Sequence, residues 1–140
     1  MQHVRTFLCI EAAAFGVAAL VHAGVLVDGY RHREAAIAES VIAGVLTIGL
    51  VLSLMRPSSS RAAGLAAQAF ALVGTFVGLF TIAIGVGPQS RFDLALHVGF
   101  VALLTAGLAV VARRRAETRR GQISEAAGHV GLRRREGWPR

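Results

Sequence analysis

Residues 34–55 read EAAIAESVIAGVLTIGLVLSLM, and from Ser40 to Met55 the run holds no charged side chain. An α-helix needs about 20 predominantly apolar residues to cross a hydrocarbon core ~30 Å thick. Backbone in lipid must satisfy its own hydrogen bonds, so this length and composition predict a spanning helix. A membrane barrel would alternate apolar and polar residues, and that alternation is missing. One residue resists the reading: Glu39 is a carboxylate near the start of a segment otherwise suited to hydrocarbon.

Three more apolar runs lie along the chain, so the spans are expected at about 7–27, 35–55, 62–86 and 92–112. The whole chain of 140 residues is 54% hydrophobic and 16% charged, with mean hydropathy +0.58, too apolar for an ordinary soluble domain. The connections DGYRHRE, RPSSSR and GPQSR are short, which favours sequential neighbours running in opposite directions. Pro57 and Pro88 fall within the connections, where a missing N–H does no harm. The expected fold is therefore all-α: an antiparallel, up-down-up-down four-helix transmembrane bundle over residues 1–112, then a basic tail over 113–140. The first run carries Glu11 and His22 and no clear cleavage site, so it reads as a span rather than a signal peptide.

Every basic residue is arginine, 15 in all. If the N-terminus is inside, twelve arginines fall on the cytoplasmic side, and only Arg31, Arg33 and Arg91 fall outside. The positive-inside rule then predicts an inner-membrane, multi-pass protein with both termini cytoplasmic. The tail, with clustered arginines and scattered glycines, reads as a flexible extension that can contact anionic lipid headgroups at ~1 kcal/mol per arginine. No nucleic-acid-binding module accompanies it. Cys9 is the single thiol and cannot form a disulfide within the chain.

Shifting the chain by 58 positions lays VLTIGL (45–50) on LLTAGL (103–108) without gaps, which suggests a 2+2 internal repeat of two-helix units. In this register Glu39 and His97 are equivalent, as are Gly49 and Gly107. Small residues recur at helical spacing: Gly74 and Gly78 in the third span, and Ala36, Ser40 and Gly44 in the second. Such rows let helices approach closely, inside one bundle or across a homodimer or larger membrane complex.

The ionisable residues inside the spans carry the functional reading, since each costs ~2.5–3.5 kcal/mol at a helix centre and turns inward or toward a cavity. His22, Glu39 and His97 fall within about one helical turn of the same depth toward the outer surface. Asp93 lies four residues before His97, on the same helical face. Imidazoles and carboxylates together suit a transition metal, with His22, Glu39 and His97 as ligands and Asp93 orienting His97. Two histidines at matched depth also suit haem. The competing reading is a set of interhelical hydrogen bonds. Glu11, three turns from His22, has Gln68 as its counterpart by depth, as a hydrogen-bonded pair or a proton-binding site.

A lone glutamate in the first of four spans resembles the small multidrug resistance exporters, and the resemblance implies a dimeric, proton-coupled transporter. The spans hold no Trp or Tyr for an aromatic cage, and His22, Glu39 and His97 have no counterpart in that pattern. The stretch GTFVGLFTIAIGVGPQSRFDLALHVGFVALL (74–104) resembles runs in small four-span proteins of high-GC bacteria, which implies a bacterial inner-membrane protein and no particular activity. No Ser or Cys has a His and a carboxylate at matching depth, so a non-catalytic membrane or complex-associated protein is the leading expectation.

Overall fold

A computed structural model describes residues 2–136, with side chains as far as residue 113. Among the described residues there are four α-helices and no strand: α1 (Gln2–His22), α2 (Arg33–Met55), α3 (Ser60–Ala83) and α4 (Arg91–Glu136). A 3-10 turn at Pro57–Ser59 leads into α3, and an isolated bridge between Ala23 and Arg31 closes the α1–α2 loop. Gln2–His22, Arg33–Met55, Pro57–Ala83 and Arg91–Arg113 are each long and apolar enough to cross a membrane.

Two helices stop before their apolar runs do, for the same reason. After α1, Gly24 takes a positive φ of 73°; its N–H bonds the Val21 carbonyl at 2.9 Å, while Val25 N–H bonds the Leu20 carbonyl at 3.0 Å. After α3, Gly85 takes φ 79°, with Gly85 N–H on Ile82 and Val86 N–H on Thr81. Both are Schellman caps, in which a left-handed residue satisfies the last free carbonyls and turns the chain away. The first helix therefore ends at His22, short of residue 27, and leaves Val25, Leu26 and Val27 exposed in the loop. It also starts earlier, at Gln2.

The α2–α3 boundary is set by Pro57, which drives Arg56 out of helical backbone, to φ −126° and ψ 81°. The α4 helix departs from expectation at its other end. It continues through the tail to Glu136, where a flexible extension was expected. The tail is rich in Arg, a strong helix former, and has no proline before Pro139. Anionic-lipid contact by the tail depends on side chains outside the described residues.

The core is built from Leu8, Phe15, Leu46, Ala71 and Leu104, all sealed, with the Phe15 and Phe100 rings stacked at 4.1 Å between centroids. Leu46 and Leu104 are equivalent in the repeat register and equally buried; so are Gly49 and Gly107, while Thr47 and Thr105 both face out. The outer faces are apolar too: Phe70, Val73, Phe76 and Phe80 stand exposed along α3, and Ile48 and Leu54 along α2. So much contiguous apolar surface suits lipid rather than water.

Contacts between helix ends fix the arrangement. Near one end, Arg5 donates to the Ser53 carbonyl at 2.8 Å, and Arg61 to the Val111 carbonyl at 3.1 Å. At the other, the end of α1 meets the beginnings of α2 and α4, and there the polar residues gather.

Candidate functional site

His22 is the last residue of α1, so the glycine cap that ends the helix also sets the position of its ring. The His32 N–H bonds the His22 carbonyl at 2.8 Å, holding the returning chain against it. The ring is fully buried and uses both nitrogens: Nδ1 lies 2.6 Å from Glu39 Oε2, and Nε2 lies 3.0 Å from Asp93 Oδ1. One imidazole thus joins three helices.

Asp93 is held by a capping box. Ser90, just before α4, accepts the Asp93 N–H at 3.1 Å, and Asp93 Oδ2 accepts the Ser90 N–H at 3.1 Å. The Ser90 hydroxyl donates to the same Oδ2 at 2.6 Å, and the Tyr30 hydroxyl donates to Oδ1. With the His22 Nε2–H this makes four donors, so Asp93 is an ionised carboxylate whose charge is further favoured by the N-terminus of α4. Burial, and then the Asp93 carboxylate, push the Tyr30 phenol above its ordinary value, so Tyr30 keeps its proton and stays a donor.

The charge of the cluster follows from counting protons. A single proton lies between His22 Nδ1 and Glu39 Oε2, so that pair is neutral overall wherever the proton sits, while Asp93 adds one negative charge. The second oxygen of Glu39, Oε1, is buried without a hydrogen-bond partner. Glu39 itself is only 4% exposed.

His97 does not join this network. It sits one turn beyond Asp93 and donates from Nδ1 to the Asp93 carbonyl oxygen at 2.8 Å. The structure brings together His22, Glu39 and Asp93 rather than His22, Glu39 and His97, and Asp93 bonds His22 directly instead of orienting His97 through its carboxylate. Among the described residues, no group of three or more His, Cys, Asp or Glu side chains could hold a metal ion. The physical reason is plain for His22: both its nitrogens are committed to carboxylates, which leaves no lone pair for a metal or haem iron.

A second buried pair lies three turns down α1. Gln68 donates from Nε2 to Glu11 Oε1 at 2.8 Å and Oε2 at 3.1 Å; both residues are fully buried, and Gln68 Oε1 has no partner. Gly107 of α4 makes the room, because a Cβ there would collide with Gln68 Nε2 and Glu11 Oε1.

The two small-residue rows part company. Gly74 packs on Ile42 and Gly78 on His97, where a Cβ would come within 2.9 and 2.6 Å respectively, so this pair serves packing inside the bundle. Ala36 is half-buried, and Ser40 and Gly44 face outward, with open space beside Gly44. Between α2, α3 and α4 opens a cleft of about 510 Å³, with Glu39, Thr75, Thr81 and His97 among its walls.

Tyr30 and Ser90 were missed in the sequence. Ser90 carried a usable signal, since S-x-x-D before an apolar run is the mark of a helix N-terminus. Tyr30 carried none, because a loop aromatic has no periodicity to place it. No family model, curated protein or solved structure matches the chain.

Proposed function

We propose that this is a small, non-catalytic integral protein of the bacterial inner membrane, with antiparallel helices and both termini cytoplasmic. In this reading the polar network near the outer surface is a clasp that fixes how α1, α2 and α4 meet. One observation carries the proposal: both nitrogens of the buried His22 ring are spent on carboxylates from two other helices. A catalytic or metal-binding imidazole keeps at least one nitrogen free to exchange a proton or coordinate. The end contacts Arg5 to Ser53 and His22 to Glu39 support the antiparallel order, since each joins the start of one helix to the end of its neighbour. The arginine asymmetry supports the orientation.

Purified wild type and His22→Ala, compared by absorption spectrum, metal content and unfolding in detergent, test the clasp. Colourless, metal-free wild type with a much less stable variant is the expected result. A Soret band or stoichiometric metal that disappears in the variant would overturn it. For orientation, a cysteine at Asp28 in a Cys9→Ser background should react with an impermeant maleimide in intact cells, and one at Ser58 only after permeabilisation.

Glu11 supports a second reading, a dimeric proton-coupled transporter. A carboxyl group sealed inside the bundle with a single neutral partner is the arrangement a proton-binding site requires. Proton-coupled flux in wild-type vesicles that is abolished in Glu11→Gln would establish it.

A further inference from the structure

The loop between α1 and α2 sorts its charged side chains to two sides. Arg31 is tied to the end of α1 by its bridge with Ala23, its Cβ and Cγ beside Gly24, and His32 has extended backbone at φ −130° and ψ 91°. Neighbouring side chains on extended backbone point opposite ways. Arg31 and Arg33 accordingly line a groove of about 770 Å³ between α1 and α2, whereas His32, with Glu34, lines the cleft between α2, α3 and α4. The described walls of the groove hold two guanidiniums and no carboxylate. Both arginines are exposed, and neither forms an ion pair among the described residues. From Arg33 the groove follows α2 as far as Ala43, ~15 Å at 1.5 Å per residue, past the exposed side chains of Leu20, Ile37 and Val41. Gly16 leaves room there, since a Cβ on it would meet nothing within 4 Å. Of the other polar side chains on the lining, Ser40 spends its hydroxyl on the Ala36 carbonyl, and His22 spends both ring nitrogens on carboxylates. A ligand thus meets donors at one end and hydrocarbon along the rest.

Permanent positive charge at the end of an apolar trough, on a surface suited to lipid, selects an amphiphile whose charge is negative. We propose that this groove binds one anionic phospholipid of the phosphatidylglycerol type, its phosphodiester at the Arg31 and Arg33 guanidiniums and an acyl chain along Gly16, Leu20, Ile37 and Val41. Arginine suits phosphate because its planar fork of N–H donors matches two phosphate oxygens and never loses its charge. The start of α2 adds to the attraction, since Arg33 is its first residue and the N-cap residue His32 makes no side-chain capping bond. A zwitterionic lipid offers the same phosphate but brings a cation that the two arginines repel. The inference rests on the membrane reading above and holds in either orientation.

Photolabelling tests this on the full-length protein in phosphatidylcholine nanodiscs that carry a trace of diazirine-acyl phosphatidylglycerol or diazirine-acyl phosphatidylcholine, with adducts mapped by peptide mass spectrometry. The exposed face of α3, with Phe70, Phe76 and Phe80, is the reference for ordinary lipid contact, and it absorbs any diffuse attraction by the arginine-rich tail. Relative to that face, groove labelling should be at least about fivefold higher with the phosphatidylglycerol probe, the effect of a single arginine near a charged headgroup. Arg31→Gln combined with Arg33→Gln should remove this preference and leave the unfolding midpoint in lipid-free detergent in place, because both side chains are exposed and outside the clasp. Unlabelled phosphatidylglycerol should compete, and sn-glycerol 3-phosphate, a headgroup without chains, should not. Equal groove labelling by the two probes, a preference that survives the double variant, or competition by glycerol phosphate would each overturn the proposal. No labelling of α3 by either probe would sink the membrane reading, and the proposal with it.

Discussion

At one end of α1, a single imidazole bonds carboxylates from two other helices, and Asp93 is surrounded by four donors. Three turns away, Glu11 bonds only the amide of Gln68, and the amide oxygen is left over. Both sites are buried polar chemistry in a bundle suited to lipid, yet their dependence on partners differs. Removing one member of the His22 network strands charge, whereas removing the Glu11–Gln68 pair together strands nothing. A buried polar group therefore matters to the fold in proportion to how many partners would be orphaned by its loss.

The sharpest way to break this contrast is His22→Ala. It deprives Glu39 and Asp93 of their shared partner and should cost about 3–5 kcal/mol in reversible unfolding in mixed micelles. A loss within the scatter of surface variants would show that the clasp does not hold the helices. Next comes Gly107→Val, which pushes a side chain into the Glu11–Gln68 pair and should cost about 1–3 kcal/mol by overpacking. Truncating Glu11 to Ala in that background should restore part of it. If it restores nothing, the collision lies elsewhere.

The sequence made some of this readable and hid the rest. Four helices long and apolar enough to cross a membrane were legible because apolar runs of this length have few other uses, but their ends were not, since a cap at Gly24 or Gly85 overrides the apolar residues that follow it. His22, Glu39 and His97 were legible as a depth-matched set, with Asp93 one turn from His97 on the same face, because rise per residue is fixed in a helix. Which of them touch was not. Asp93 and His97 share a face of α4, so the axial position of that helix decides it, and it set Asp93 rather than His97 level with the His22 ring.

Ser90→Ala probes how far the network depends on the start of α4. Loss of the capping box should cost about 1 kcal/mol, read as a lowered unfolding midpoint. A double-mutant cycle between Glu11→Leu and Gln68→Leu should give a coupling of only ~0.6 kcal/mol, the average for hydrogen bonds between membrane helices. A coupling several times larger would erase the difference between the two sites.

The smallest effect concerns pH. Tyr30 holds its proton more tightly in the folded protein than in the unfolded chain, where it titrates near pH 10. Its contribution is complete below that pH and is lost as pH rises through the folded value. The unfolding midpoint of wild type should decline in strongly alkaline buffer, and that of Tyr30→Phe should decline less.

The clasp also imposes an order on biogenesis. Its parts come from α1, the first loop, α2 and α4, so during synthesis the His22–Glu39 pair can form once α2 has been made, while Asp93 arrives only with α4. Until then the ring has one carboxylate partner, and its other nitrogen lacks one. A chain truncated after α3 would leave the His22 Nε2–H without its carboxylate permanently.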